Sequence, residues 1–138
     1  ESLKAEHGSS VRSTMLPTTD GLSLDVSYGS SMDLSLITDT LTAEVTNGSH
    51  LKLTGESTEV RVVLENGSRL DARNFSITIA DITATYGSEA LLEVTESLRA
   101  SAQYGSEIIY SGDPVVEEDE ATGSSIRARR ATSTEVTR

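Results

Sequence analysis

The sequence predicts an all-β fold: a single-stranded β-helix (β-solenoid) of about seven coils, with 18–21 residues per coil. Three observations predict it. A Gly-Ser pair recurs seven times, apolar and polar residues alternate on both sides of it, and the spacing varies at only one place in each copy.

The pairs begin at Gly8, Gly29, Gly48, Gly67, Gly87, Gly105 and Gly123, at intervals of 21, 19, 19, 20, 18 and 18 residues. Recurrence at a fixed period of this size is the mark of a stacked-repeat architecture. Three residues after each Gly stand Val11, Met32, Leu51, Leu70, Ala90, Ile108 and Ile126, all apolar. One position earlier stand Ser10, Ser31, His50, Arg69, Glu89, Glu107 and Ser125, all polar. Five residues after the Gly come Ser13, Leu34, Leu53, Ala72, Leu92, Tyr110 and Ala128. A period of two belongs to a half-buried strand, not to a helix. A second alternating segment runs into each corner: Leu22, Leu24 and Val26, then Leu41, Ala43 and Val45, and so on through Leu98, Ala100 and Ala102.

From the first apolar residue of the entering strand, through the Gly, to the position five beyond is always 13 residues. The links between these blocks are 8, 6, 6, 7, 5 and 5 residues long, and they carry all the variation. Stacked coils require this, because each side chain must sit over its counterpart roughly 4.8 Å away in the next coil. A sandwich of hairpins alternates too, but it does not hold one register through seven copies.

The whole of residues 1–138 reads as one β-helix domain. Its first copy is partial: Leu3 and Ala5 fit inward columns, Glu1 replaces an apolar residue, and the longest link holds Pro17. The sixth copy departs at Val116, Glu118 and Glu120, where acids take two inward positions. Charges cannot be buried unpaired, so either the strand bulges there or the coil opens to solvent. Residues 127–138 are basic and Thr-rich and are expected to be a C-terminal cap or tail, set against the run Glu117-Glu118-Asp119-Glu120.

Composition narrows the function classes. Hydrophobic residues make up 36% and aromatics 4%, enough for a narrow aliphatic core but thin for a globular one. No apolar run approaches the ~20 residues of a membrane helix. The absence of cysteine excludes disulfides, a thiol nucleophile and Cys-ligated metal. A net charge of -11 disfavours nucleic acid and anionic membrane surfaces. The chain starts at Glu1 without a visible secretory signal and reads as a processed or trimmed domain. Oligomeric state is left open, with association through the coil ends one route.

The unit Gly-Ser-Arg-Leu-Asp-Ala at Gly67–Ala72 resembles the repeat of the putative auto-transporter adhesin head domain, also called the GIN domain. So does Tyr-Ser-Gly-Asp-Pro-Val-Val at Tyr110–Val116, and the likeness runs from about Leu3 to Ile126. The resemblance implies a right-handed β-helix in a protein exported by Gram-negative bacteria, hence periplasmic or at the cell surface. It implies no catalytic residue and no cofactor. In one respect the chain departs from the family, which commonly has a small residue just before the Gly. Here stand His7, Tyr28, Asn47, Asn66, Tyr86, Tyr104 and Thr122. Asn tolerates a left-handed turn and Tyr does so poorly, so this corner is expected to differ from the family's usual turn.

Candidate chemistry follows from the columns. Tyr86 and Tyr104 fall in one column in consecutive coils, with Tyr28 further along, and an outward tyrosine ladder would suit a carbohydrate ligand or a cell-surface protein. Corner packing is the structural alternative. The Ser column reads as a hydroxyl ladder for corner backbone groups. Asp113, Glu117 and Asp119 are candidate cation ligands, although an EF-hand pattern is missing. His7 and His50 have no matched partner for zinc or for a Ser-His-Asp triad. Asp33 and Asp71 share a polar column two coils apart and offer an alternative reading as a carbohydrate-active enzyme or polysaccharide-binding domain. The sequons at Asn47, Asn66 and Asn74 are incidental to the repeat, and Leu16-Pro17-Thr18-Thr19 only superficially resembles a sortase signal. The leading expectation is a non-enzymatic, adhesin-like binding or scaffold module. Its variable links, Ser35–Thr40, Arg73–Ile79 and Glu93–Ser97 among them, are the places where a ligand surface would evolve most easily.

Overall fold

A computed structural model describes residues 2–8, 10–13, 19–112, 114–120 and 123–128. Every described element is a strand: β1 (Ser2–Ala5), β2 (Ser10–Ser13), β3 (Thr19–Val26), β4 (Ser31–Val45), β5 (His50–Leu64), β6 (Arg69–Thr85), β7 (Glu89–Gln103), β8 (Glu107–Ser111), β9 (Val115–Glu120) and β10 (Ser125–Ala128). All pairings are parallel, in the order β1-β3-β4-β5-β6-β7-β8-β10, with β2 on β4 and β9 on β7. Each strand thus lies on the one before it in the winding, as a solenoid demands and a hairpin sandwich forbids. The seven corners bound about six turns, one fewer than a count of Gly-Ser pairs suggests.

The predicted columns stack in register. Leu22, Leu41, Val60, Ala80, Leu98 and Val116 are successive partners. The inward residues from Leu22 to Ala102 are buried, as are Met32, Leu34, Leu51, Leu53, Leu70, Ala72, Ala90, Leu92 and Ile108. Each aliphatic side chain fully buried in this way contributes about 1.5–3 kcal/mol, so stability accumulates coil on coil. The columns fail only at the ends: Val11 and Tyr110 are partly buried, and Ala128 is exposed.

The links are not loops. β4 to β7 run through them without a break, and the buried positions of β6 change parity twice, from Leu70 and Ala72 to Phe75 and Ile77 and back to Ala80, Ile82 and Ala84. Two bends therefore separate three faces: one entering the Gly-Ser corner, one leaving it, and a short third face in the link. Thr38, Ser57, Ile77 and Val94 point inward there, and Phe75, the one phenylalanine, is fully buried beside them. Thr38 and Ser57 keep their hydroxyls satisfied by donating to the carbonyls of Thr40 and Glu59. The expectation of a freely variable outer corner is corrected to this extent, because these links supply core. Length variation is absorbed by register shifts between Lys52 and Thr54, between Ala72 and Ser76, and between Ile77 and Ile79.

The Gly-Ser corner is uniform. His7, Tyr28, Asn47, Asn66, Tyr86 and Tyr104 all have φ between 56° and 58°, and the glycine after each follows at 71–78°. Tyrosine therefore takes the same left-handed conformation as asparagine. Hydrogen bonds between coils over-determine the turn: Gly29 N–H donates to Asn47 O, Gly48 to Asn66, Gly67 to Tyr86 and Gly87 to Tyr104, at 2.9–3.0 Å.

Behind the corner the serines form a ladder. The N–H groups of Ser30, Ser68, Ser88 and Ser106 donate to the Oγ of Ser49, Ser88, Ser106 and Ser124 in the next coil, at 3.2–3.3 Å. Ser68, Ser88 and Ser106 each pass their hydroxyl proton to a carbonyl three residues upstream, at 2.7–2.8 Å. One hydroxyl thus serves as acceptor and donor at once.

At the far end, β9 pairs with β7 without a bulge, and Glu118 lies over Ala100. Glu118 is exposed. Of the two outcomes foreseen for this stretch, the coil opens to solvent. Of the expected cap over residues 127–138, Arg127 and Ala128 belong to β10, whereas residues 129–138, like Asp113 and Pro17, lie outside the described residues.

Candidate functional site

The corner column is an exposed ridge along the solenoid. Tyr28, Tyr86 and Tyr104 are 50–56% exposed although each is large and apolar. The column pairs off by chemistry. The His7 and Tyr28 rings stack at 4.8 Å and 5°, Asn66 Nδ2 donates to Asn47 Oδ1 at 3.2 Å, and Tyr86 stacks on Tyr104 at 4.7 Å and 2°. These ring separations match the rise of a parallel coil. In each aromatic pair one ring face is covered by its partner, so what the ridge offers along its length is ring edges and phenolic hydroxyls. A ligand that grips aromatics by their edges fits this geometry better than a sugar laid flat on a ring.

The face leaving the corner carries two outward columns. One reads Arg12, Asp33, Lys52, Asp71, Leu91 and Ile109 from coil to coil. Asp33 and Asp71, the acids considered for polysaccharide cleavage, are separated by Lys52 at the register position between them. Asp33 lies 3.9 Å from Arg12, and Asp71 accepts two hydrogen bonds of 3.0 Å from Arg73. The Arg73 hydrogen bonds hold the Asp71 carboxyl below its usual range against the opposing effect of partial burial. A general acid needs the reverse shift. The surface is a shallow trough on an open sheet face, lined also by His50 and Arg69.

The same column turns apolar at Leu91 and Ile109, which sit between Arg73 and Arg127. Leu91 is buried despite its outward parity. The pair stands at the fourth position after Gly87 and Gly105, between the third and fifth positions whose apolar residues mark the core, and two apolar residues in this otherwise polar column are the signal for it.

The remaining candidates are not brought together. Glu117 is held by Arg99 at 2.8 Å. Asp119 lies two residues along β9, and Asp113 is not described. Among the described residues no group of three or more His, Asp or Glu is arranged to hold a metal ion. His7 belongs to the corner ridge and His50 to the trough. Among the described residues no helix is long and apolar enough to cross a membrane.

Comparison with known proteins agrees with this architecture. The fold is similar to the crystal structure of a putative adhesin from Parabacteroides merdae ATCC 43184, with a TM-score of 0.87 and 18% identity over 92% of this chain and 54% of that one. The chain thus spans about half the length of that relative. No curated protein matches it. The family model described as "Putative auto-transporter adhesin, head GIN domain" matches residues 1–114, and the chain belongs to that family.

Proposed function

We propose that this chain is a non-enzymatic binding module working outside the cytoplasm, at the bacterial cell surface or in the periplasm, and that its corner ridge is the contact surface. The observation that carries the reading is the set of half-exposed tyrosines held at positive φ. A left-handed backbone costs an ordinary L-residue roughly 1–2 kcal/mol, and asparagine at Asn47 and Asn66 fills the same turn more easily. Tyr28, Tyr86 and Tyr104 add little to the core, since half of each side chain faces water. Strain at an exposed position points to function, and exposed tyrosine edges with hydroxyls suit a glycan or a cell-surface protein. The acids of the outer face are committed to arginines, which speaks for binding over hydrolysis. The extracytoplasmic setting rests on membership of an adhesin family.

The test is a glycan array and a binding assay on whole cells, with the wild type and the double variant Tyr86→Asn/Tyr104→Asn. Asparagine keeps the turn, so stability should stay within the range of a surface change while binding is lost. Absence of any bound glycan or surface protein, or binding that survives the double substitution, refutes the ridge as the contact surface.

A further inference from the structure

We infer that the two Asn-Gly corners, Asn47-Gly48 and Asn66-Gly67, are latent self-modification sites that the stacking of the coils keeps unreactive. Asparagine followed by glycine is the pair in which a chain attacks itself most readily, because glycine has no side chain to crowd its own nitrogen. The glycine backbone nitrogen gives up its proton and bonds to the asparagine Cγ. The Cγ–Nδ2 bond breaks, and the side-chain nitrogen takes that proton and leaves as ammonia. Water then opens the cyclic imide at either carbonyl, giving an aspartyl or an isoaspartyl residue. No oxidant, cofactor or second protein enters the balance.

Exposure alone would permit the reaction, since Asn47, Gly48, Asn66 and Gly67 all face water. What the fold withholds is the nucleophile. Gly48 N–H donates to Asn66 O at 3.0 Å and Gly67 N–H donates to Tyr86 O at 2.9 Å, each in the following coil. Removing either proton would leave a negative nitrogen facing a carbonyl oxygen, and like charge at that distance opposes the first step. Ring closure would also pull the nitrogen out of line with its acceptor. The corner cannot turn to relieve either conflict. Asn47 and Asn66 are held at φ 57° and 58°, with Val45 and Ser49, or Leu64 and Ser68, buried on either side.

Each site is guarded by the next coil, not by its own. Unwinding the coil that carries Tyr86 frees Gly67, and unwinding the coil that carries Asn66 frees Gly48. Asn66 Nδ2 also donates to Asn47 Oδ1 at 3.2 Å, but that bond joins exposed side chains and leaves the glycine nitrogens untouched. Asn74 is an internal reference, because Phe75 follows it and crowds the nitrogen that would have to attack. Conversion at residue 47 or 66 thus records, in covalent structure, that the neighbouring coil has come unwound.

The test incubates the 138-residue chain at mildly alkaline pH, folded and in guanidinium, and follows the peptides holding residues 47, 66 and 74 by mass spectrometry. Hydrogen exchange at Gly48 and Gly67 is read in parallel. Both Asn-Gly sites should convert on the order of a hundredfold more slowly in the folded chain, because reaction must wait for a coil to open. In guanidinium both should outpace Asn74. The Gly48 and Gly67 N–H groups should resist exchange and lose that resistance at the denaturant concentration where the asparagines become reactive. Asn66→Tyr sets at this corner the residue of the next one, removing the side-chain bond but keeping the carbonyl, so Asn47 should stay protected. Circular dichroism confirms that the variant retains its strands. Equal rates in the folded and unfolded chains overturn the inference, as do unfolded Asn-Gly sites no faster than Asn74. So does slow conversion beside free exchange at the two glycines, or a folded Asn66→Tyr chain in which Asn47 converts as fast as in guanidinium.

Discussion

Replacing Ser88 by alanine tests the ladder that holds the corners together. The Ser88 hydroxyl accepts the Ser68 N–H at 3.3 Å and donates to the Thr85 carbonyl at 2.7 Å, and both serines are 1% exposed. Ser88→Ala removes both bonds and leaves the buried Ser68 N–H without this acceptor. An orphaned buried donor costs about 1–3 kcal/mol, and a lost neutral hydrogen bond a further ~1 kcal/mol, so the variant should lose about 2–4 kcal/mol. The control is Ser31→Ala, at an exposed outward position of β4, which should move stability by less than about 0.5 kcal/mol. Urea unfolding followed by circular dichroism reads the difference as a shift in midpoint at constant slope. If the two variants unfold together, the ladder does not support the corner.

Two glycines separate backbone strain from collision. At Gly67 an added Cβ meets nothing within 4 Å, so Gly67→Ala should lose only the roughly 1–2 kcal/mol of a left-handed alanine. At Gly112 the Cβ would strike the Val94 carbonyl oxygen, which is backbone and cannot yield, so Gly112→Ala should melt well below Gly67→Ala. Phe75→Ala empties a fully buried site and should cost about 3–5 kcal/mol in the same urea assay. The Asp71 carboxyl is held below its ordinary 3.8 by hydrogen bonds from Arg73, so its contribution is fully present above 3.8 and is lost as pH falls through the lower folded value. Asp71→Asn should therefore flatten part of the acid limb of a stability–pH curve and leave its shape at neutral pH unchanged.

The two long faces were legible in the sequence because their side chains alternate without interruption and their length never changes. Leu41, Val60 and Leu98 stand where the alternation puts them. The third face was not legible. Its inward residues are as different as Thr38, Ser57, Phe75 and Val94, and its bends reset the parity that a period-two reading depends on. The corner conformation was not legible for another reason: residue preference favours Asn over Tyr at positive φ, but at Tyr86 and Tyr104 the hydrogen bonds from Gly67 and Gly87 dictate the backbone. The stacking of those rings could be read as a column but not as a geometry, because sequence gives position and not χ angle. The Leu91–Ile109 pair was visible as two apolar letters in a polar column.

The chain winds from β1 at one end of the stack to β10 at the other. Its backbone hydrogen bonds therefore lie along the line joining those two strands. Tension applied between them would load the bonds of one coil at a time, as a zip is opened, and would not shear a whole sheet at once. Each coil of 18–21 residues that let go would release on the order of 60 Å of extended chain. A domain tethered at opposite ends of this stack would yield under load in discrete steps and keep its remaining coils wound.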